Sequence, residues 1–201
     1  MEKTEHSEID KLKREIRNYK SLFHCALDIF NRTTVSGVLE AAAWKLSDHF
    51  LPSFIVFIRK PLAGKEGIVI NGYKNYRHIA PKLNLESIAR FEPFFQKNPN
   101  PISYDLLAIE LKSSAVFDSL SPEVIVPIQD SAGLYGLALV GRKVFEEQYD
   151  DADLEYLQHL MFFVSQAIQN HLLDGRVIKK EKEIEKTGLM AKIERMGLMQ
   201  K

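Results

Sequence analysis

A chain of 201 residues, 45% hydrophobic and 27% charged, has an ordinary globular composition, with room for one core of roughly 150 residues and helical extensions. Its 27 basic and 27 acidic residues cancel, so it lacks the basic excess by which a nucleic-acid binder neutralises phosphates. A single cysteine, Cys25, excludes an internal disulfide and a cysteine-held structural zinc, and no run of about 18 apolar residues is present to span a membrane.

In chain order, residues 1–20 are charged and helical in pattern rather than a secretory signal, so a cytoplasmic chain is expected. Ile9, Leu12, Ile16, Tyr19, Phe23, Ala26 and Phe30 alternate spacings of three and four, with Lys11, Lys13, Arg14, Glu15, Arg17 and Asn18 between them. That is a heptad-like seam, and an isolated helix would leave it wet, so it calls for a partner. From Leu22 the helix becomes apolar more broadly and is expected to dock on the body.

Thr33 and Thr34 are good N-caps for a second helix carrying Val35, Val38, Leu39, Ala42, Leu46 and Phe50, and Pro52 marks its end. The run SFIVFIR (53–59) is apolar on both faces, as a central strand is. GIVINGY (67–73) reads as a second strand, and 74–83 as a polar, aromatic loop. A short helix is expected over 85–95, bent or ended by Pro93. A short strand follows at 102–104, then a helix over 106–120 closed by Ser121-Pro122. EVIVPIQ (123–129) and LYGLALVGRK (134–143) form a hairpin around the turn residues 130–133.

Asp150, Asp151 and Asp153 sit where a helix N-terminus favours carboxylates. Leu154, Leu157, Met161, Val164, Ile168 and Leu172 mark the last helix. Gly175 is read as a glycine within a continuous rod, because Ile178 keeps the phase of Val164, Ile168 and His171. The phase slips over 182–186 before Leu189, Ile193 and Met196 resume a stripe. Residues 176–201 carry eight Lys/Arg against four Glu, a solvated helix face. Strands joined by hairpins imply an α+β fold, an antiparallel sheet with helices packed on it. Helical pattern runs to both ends of the chain, as expected of a piece of a longer protein.

Three segments resemble a GAF domain. They are the two-helix entry FHCALDIFNRTTVSGVLEAAAWKLSDHF running into SFIVFIR, the hairpin EVIVPIQDSAGLYGLALVGRK, and the closing FEEQYDDADLEYLQHLMFFVSQAIQN. The resemblance covers residues 22–173. It implies a coiled-coil-like helix over 1–21, a GAF-like sensor body over 22–173 and a C-terminal signalling helix over 174–201. It further implies a regulatory module of a larger signalling protein, a parallel homodimer that transmits a change through its flanking helices to an output domain. The expected dimer residues are Ile9, Leu12, Ile16, Tyr19, Phe23, Val164, Ile168, His171 and Ile178.

Some GAF domains bind cyclic nucleotides and share an N-K…F-x3-D-E pattern. The corresponding residues here are Arg142-Lys143, Tyr149 and Asp153-Leu154, so lysine and aspartate are kept while the other three differ. The resemblance makes Lys143 and Asp153 a tie between strand end and helix start. The same residues read alone as an exposed cation near a helix N-terminus. A small-molecule ligand is therefore one alternative function, and a ligand-free scaffold for dimerisation the other.

No catalytic constellation accompanies these features, and the chain is not expected to be an enzyme. Cys25 beside Ala26 reads as a buried, inert thiol. The six histidines show no i, i+4 ligand pair, and no metal site is expected. Gly64-Lys65 lacks the rest of a P-loop, and Gly133, Gly136 and Gly141 lie on a hairpin, not between strand and helix. Candidates to line a pocket are Tyr73, Tyr76, Arg77, His78, Tyr104, Ser113, Ser114 and Phe117, aromatic walls with polar anchors. Tyr73, Tyr104 and Phe117 serve equally well as core filling. No residue pattern names a cofactor.

Overall fold

The computed structural model describes residues 2–61, 69–72, 88–111, 117, 120–145 and 148–198, with the side chains of 2–7, 10, 11, 72, 111 and 176–198 excepted. Its elements are α1 (Glu2–Phe30), α2 (Val35–Phe50), β1 (Ile55–Arg59), β2 (Val69–Gly72), α3 (Glu92–Lys97), β3 (Ile102–Ser103), α4 (Tyr104–Leu111), β4 (Val124–Asp130), β5 (Gly133–Val140) and α5 (Asp151–Leu198). The five strands form one antiparallel sheet in the order β2-β1-β5-β4-β3.

Side chains alternate across this sheet and both faces are covered, so β1 is buried at every position. One face carries Ile55, Phe57, Val126, Ile128, Ala138 and Val140 against α1, α2 and α5. The other carries Val56, Ile58, Ile125, Leu137 and Leu139 against Ile88, Phe91, Phe95, Tyr104, Leu107 and Phe117. First and last helices therefore share a face.

Local chemistry sets the boundaries. Thr34 caps α2, its hydroxyl accepting from the Gly37 amide at 3.1 Å, and Leu51 ends the helix in a left-handed conformation just before Pro52. Pro93 begins a helix rather than ending one. Residues 88 and 89 are helical, 90–91 turn, and α3 starts with Pro93 in its first turn, where a missing amide hydrogen breaks no helical bond. Gly141 is needed for close approach, since a Cβ there would lie 2.3 Å from the Ser53 hydroxyl and 2.7 Å from the Phe54 ring.

The helix α1 has two apolar faces. Leu22, Cys25 and Ile29 are buried against the body, while Ile9, Leu12, Ile16, Tyr19 and Phe23 face outward, Phe23 at 62% exposure. The final helix, α5, runs without a break through Gly175 and through 182–186. The expected boundaries at 21/22 and 173/174 both fall inside continuous helices. Val164 and Ile168 are a correction to the expected dimer seam. Both are 0% exposed within the protomer's own core, because the stripe they belong to is the one by which α5 covers the sheet.

Candidate functional site

The residues following β5 continue its pairing with the α2–β1 connection. The Ser53 amide donates to the Arg142 carbonyl at 2.7 Å, the Val144 amide to the Leu51 carbonyl at 3.0 Å, and Pro52 bridges Lys143. This short ladder holds Lys143 over the body, its side chain 11% exposed. The ammonium sits 4.9 Å from the centre of the Tyr149 ring and 5.6 Å from that of Phe50, both favourable to a cation. It donates to the Gln148 carbonyl at 3.2 Å and to Asp153 Oδ2 at 2.5 Å.

Asp153 belongs to the first turn of α5, and its side chain is 4% exposed. Asp150 and Asp153 cap that helix reciprocally. The Asp153 amide donates to Asp150 Oδ1 at 3.0 Å, and the Asp150 amide donates to Asp153 Oδ2 at 3.1 Å. The helix dipole adds to the welcome for both carboxylates. Arg14 of α1 then closes the cluster, donating to Asp150 Oδ2 at 2.6 Å and Oδ1 at 3.0 Å, and to Asp153 Oδ1 at 2.6 Å. One carboxylate thus joins three parts of the chain: the entry helix, the end of the sheet and the start of the exit helix.

The protonation equilibria follow the geometry. Burial works against the Asp150 carboxylate, but the hydrogen bond from Arg14 with its charge outweighs it and holds the carboxyl below its ordinary range. The Asp150 hydrogen bond leads the effects that raise the Arg14 guanidinium above its usual value. Burial, then the nearby carboxylates of Asp153 and Glu123, pushes the Tyr149 phenol up; its hydroxyl donates to the Gly141 carbonyl at 3.0 Å. Burial lowers the pKa of His49, which stacks on Tyr156 at 4.1 Å between ring centres. A cleft of about 660 Å³ lies between α1, the end of α2, residues 143–145 and residues 148–150, lined by Arg17, Asn18 and Phe145 as well as the cluster.

This arrangement ties elements together. Among the described residues no group of three or more His, Cys, Asp or Glu could hold a metal ion. Cys25 is buried, and burial pushes its thiol up to about 12, so it stays protonated and unreactive near neutrality.

The other sequence candidates fall out differently. Tyr104 and Phe117 are core residues at 8% and 1% exposure, their rings 6.4 Å apart, with Phe91 against Phe117 at 5.1 Å. Tyr73, Tyr76, Arg77, His78, Ser113 and Ser114 lie outside the described residues. His171 is half-buried, and the Ile178 side chain also lies outside. Sequence reasoning passed over Arg14, read only as part of a polar face. Its partners are 136 and 139 residues away, and no local signal links them.

No family model matches the sequence, and no curated protein matches it. Solved structures do. The GAF domain of a phosphoenolpyruvate-protein phosphotransferase from Coxiella burnetii aligns at a TM-score of 0.57 and 11% identity, over 81% of this chain and 98% of that one. A second such domain, from an Acinetobacter phosphoenolpyruvate-protein phosphotransferase, aligns at 0.54 and 10% identity, over 76% and 92%. The chain has the GAF fold. Residues 122 to 287 of a methyl-accepting chemotaxis protein are similar in structure too, at 0.57 and 14% identity over 74% and 97%. Within the GAF fold of this chain, the Arg14–Asp150–Asp153–Lys143 cluster sits where the helices flanking the sheet meet. Among the described residues, no helix is long and apolar enough to cross a membrane.

Proposed function

We propose that this chain is a non-catalytic regulatory module of a larger cytoplasmic signalling protein, a parallel homodimer that passes a conformational change from its body through α1 and α5 to an output domain. The observation that carries the reading is the convergence of Arg14 and Lys143 on the buried carboxylate of Asp153. A joint of this kind makes the angle of the exit helix depend on the entry helix and on the sheet. Two arrangements separated by a few kcal/mol are enough for a relay.

Two further observations support it. The outward stripe of Ile9, Leu12, Ile16, Tyr19 and Phe23 is about half exposed along about four turns of α1, with the spacing a second helix would fill. The structural neighbours are parts of a chemotaxis protein and of phosphotransferases, so a fused output domain suits the fold. A scaffold that needs no ligand is the second reading, favoured by the apolar packing of Phe91, Tyr104 and Phe117 beneath the sheet.

The test is sedimentation of the full chain and of Ile16→Glu with Phe23→Glu, together with spin-label distances between α1 and α5. A dimer in the parent, monomers in the double variant and an altered helix-to-helix distance in Arg14→Ala are expected. A parent that sediments as a monomer at high micromolar concentration rejects the dimer. Unchanged distances in Arg14→Ala reject the joint.

A further inference from the structure

Arg59 is the last residue of β1 and is 8% exposed. Strand alternation sends it to the side of Ile55 and Phe57, the face covered by α5. Its Nη1 donates a long hydrogen bond of 3.3 Å to the carbonyl of its neighbour Lys60, and its Nε is buried with no partner. Among the described residues no carboxylate answers it. Glu92 is held by Lys60 at 2.8 Å, while Asp130 accepts from the Tyr135 hydroxyl at 2.9 Å and the Ala132 amide at 2.7 Å. Burial pulls the guanidinium below its ordinary pKa. Taking a charge out of water without a counter-charge is among the costliest things a fold does.

Arg59 is in the lining of a cavity of about 250 Å³. It opens between the end of β1, the β4–β5 turn and the middle of α5, and Leu134, Ile168 and Leu172 give it an apolar wall. Its charged lining is Arg59 and Lys60 against Glu92, two cations to one carboxylate, a surplus of one positive charge. Gly136 makes the position workable. A Cβ there would lie 2.3 Å from the Ile58 carbonyl oxygen and 2.9 Å from Arg59 Cα and Cβ, so bare backbone lets β5 pass close by.

We propose that this cavity is a binding site for a small carboxylic acid with an apolar body. The Arg59 guanidinium takes the carboxylate through charge-assisted hydrogen bonds. Leu172, the partly exposed member of that wall, takes the body. The volume lies just under the range of about 300–1,000 Å³ usual for drug-sized ligands, which suits a short acid. The greasy wall favours such an acid over inorganic phosphate, which has no apolar part to bury. Because Ile168 and Leu172 belong to α5, occupancy bears directly on the exit helix; that consequence rests on the regulatory reading above, and the binding does not.

The experiment is thermal unfolding and titration calorimetry of the full chain with butyrate, hexanoate, benzoate and inorganic phosphate, at constant ionic strength against chloride. At least one of the acids is expected to raise the melting temperature saturably, while phosphate and chloride do not. Arg59→Met is expected to melt higher than the parent without ligand and to lose the response to acid. Leu172→Trp, which keeps Arg59 but fills the cavity, loses the response as well. No response to any acid, or a response retained in both variants, overturns the proposal. Phosphate titrating as strongly as the acids overturns the apolar assignment. Spin-label distances between α1 and α5 that ignore a bound acid sink its link to signalling and leave the binding standing.

Discussion

Two charged side chains are buried to similar depth at opposite ends of the same face, and their surroundings differ completely. Asp153, 3% exposed, accepts from Lys143, from Arg14 and from the Asp150 amide, at the positive end of a helix. Arg59, 8% exposed and in the lining of a cavity, has among the described residues one long bond to a neighbouring carbonyl and a partnerless Nε. A buried charge that is fully answered holds a structure together, and one that is not marks a place that something else can complete. The same rule reads both ends of the domain, one as joint and the other as receptor.

Mutation breaks that contrast most sharply at the answered end. Asp153→Ala strands the buried ammonium of Lys143 and removes one arm of the reciprocal cap, so a loss of about 3–5 kcal/mol is expected from urea unfolding. Adding Lys143→Met to that variant removes the stranded cation and is expected to recover part of the loss; no recovery would argue that capping, not ion pairing, dominates. Next in size is Gly136→Ala, whose methyl meets the Ile58 carbonyl oxygen at 2.3 Å. It should cost about 2–3 kcal/mol and push Arg59 out of place, read as a lower melting temperature. At the unanswered end the sign reverses. Arg59→Met exchanges a lone buried cation for an apolar chain and is expected to stabilise the unliganded protein by about 1–2 kcal/mol, a change that chemical denaturation measures directly.

The smallest effect concerns Cys25, a neutral group buried on the shared face. Its pKa is raised from 9.0 to about 12 in the fold. Unfolded chains lose that proton first, so the contribution is intact below pH 9.0 and is lost as the pH rises toward 12. At pH 10 the loss amounts to about 1 kcal/mol, and Cys25→Ala should flatten this part of the alkaline limb of the stability profile. A slope unchanged by the substitution would assign the limb to Tyr149 and Tyr156, whose phenols burial also raises.

Much of the scaffold was legible beforehand because its signals are local. The Thr34 cap, the doubly apolar β1, the turn at 130–133 and the carboxylates opening α5 each depend on a few adjacent residues. Pro93 is not legible in this way, because a proline tolerated in a helix's first turn looks, in sequence, like one that ends a helix. For Val164 and Ile168, periodicity marks a buried stripe without naming what buries it, so the sequence alone cannot tell a dimer seam from the protomer's own core. Lys143 and Asp153 stood out through resemblance, being ten residues apart. Arg14 did not, since its role depends on a helix docking far along the chain.

By itself the sequence determined the elements, their order, the antiparallel hairpin and the apolar character of both helical ends, because hydrogen-bond geometry and side-chain periodicity act over a few residues. Which face of α1 is covered, that Arg14 reaches Asp153, and that Arg59 turns inward and lines a cavity were decided only by the tertiary structure. Those outcomes depend on distances between segments distant in the chain, and the strength of a charge's interactions is set by burial, which packing alone defines.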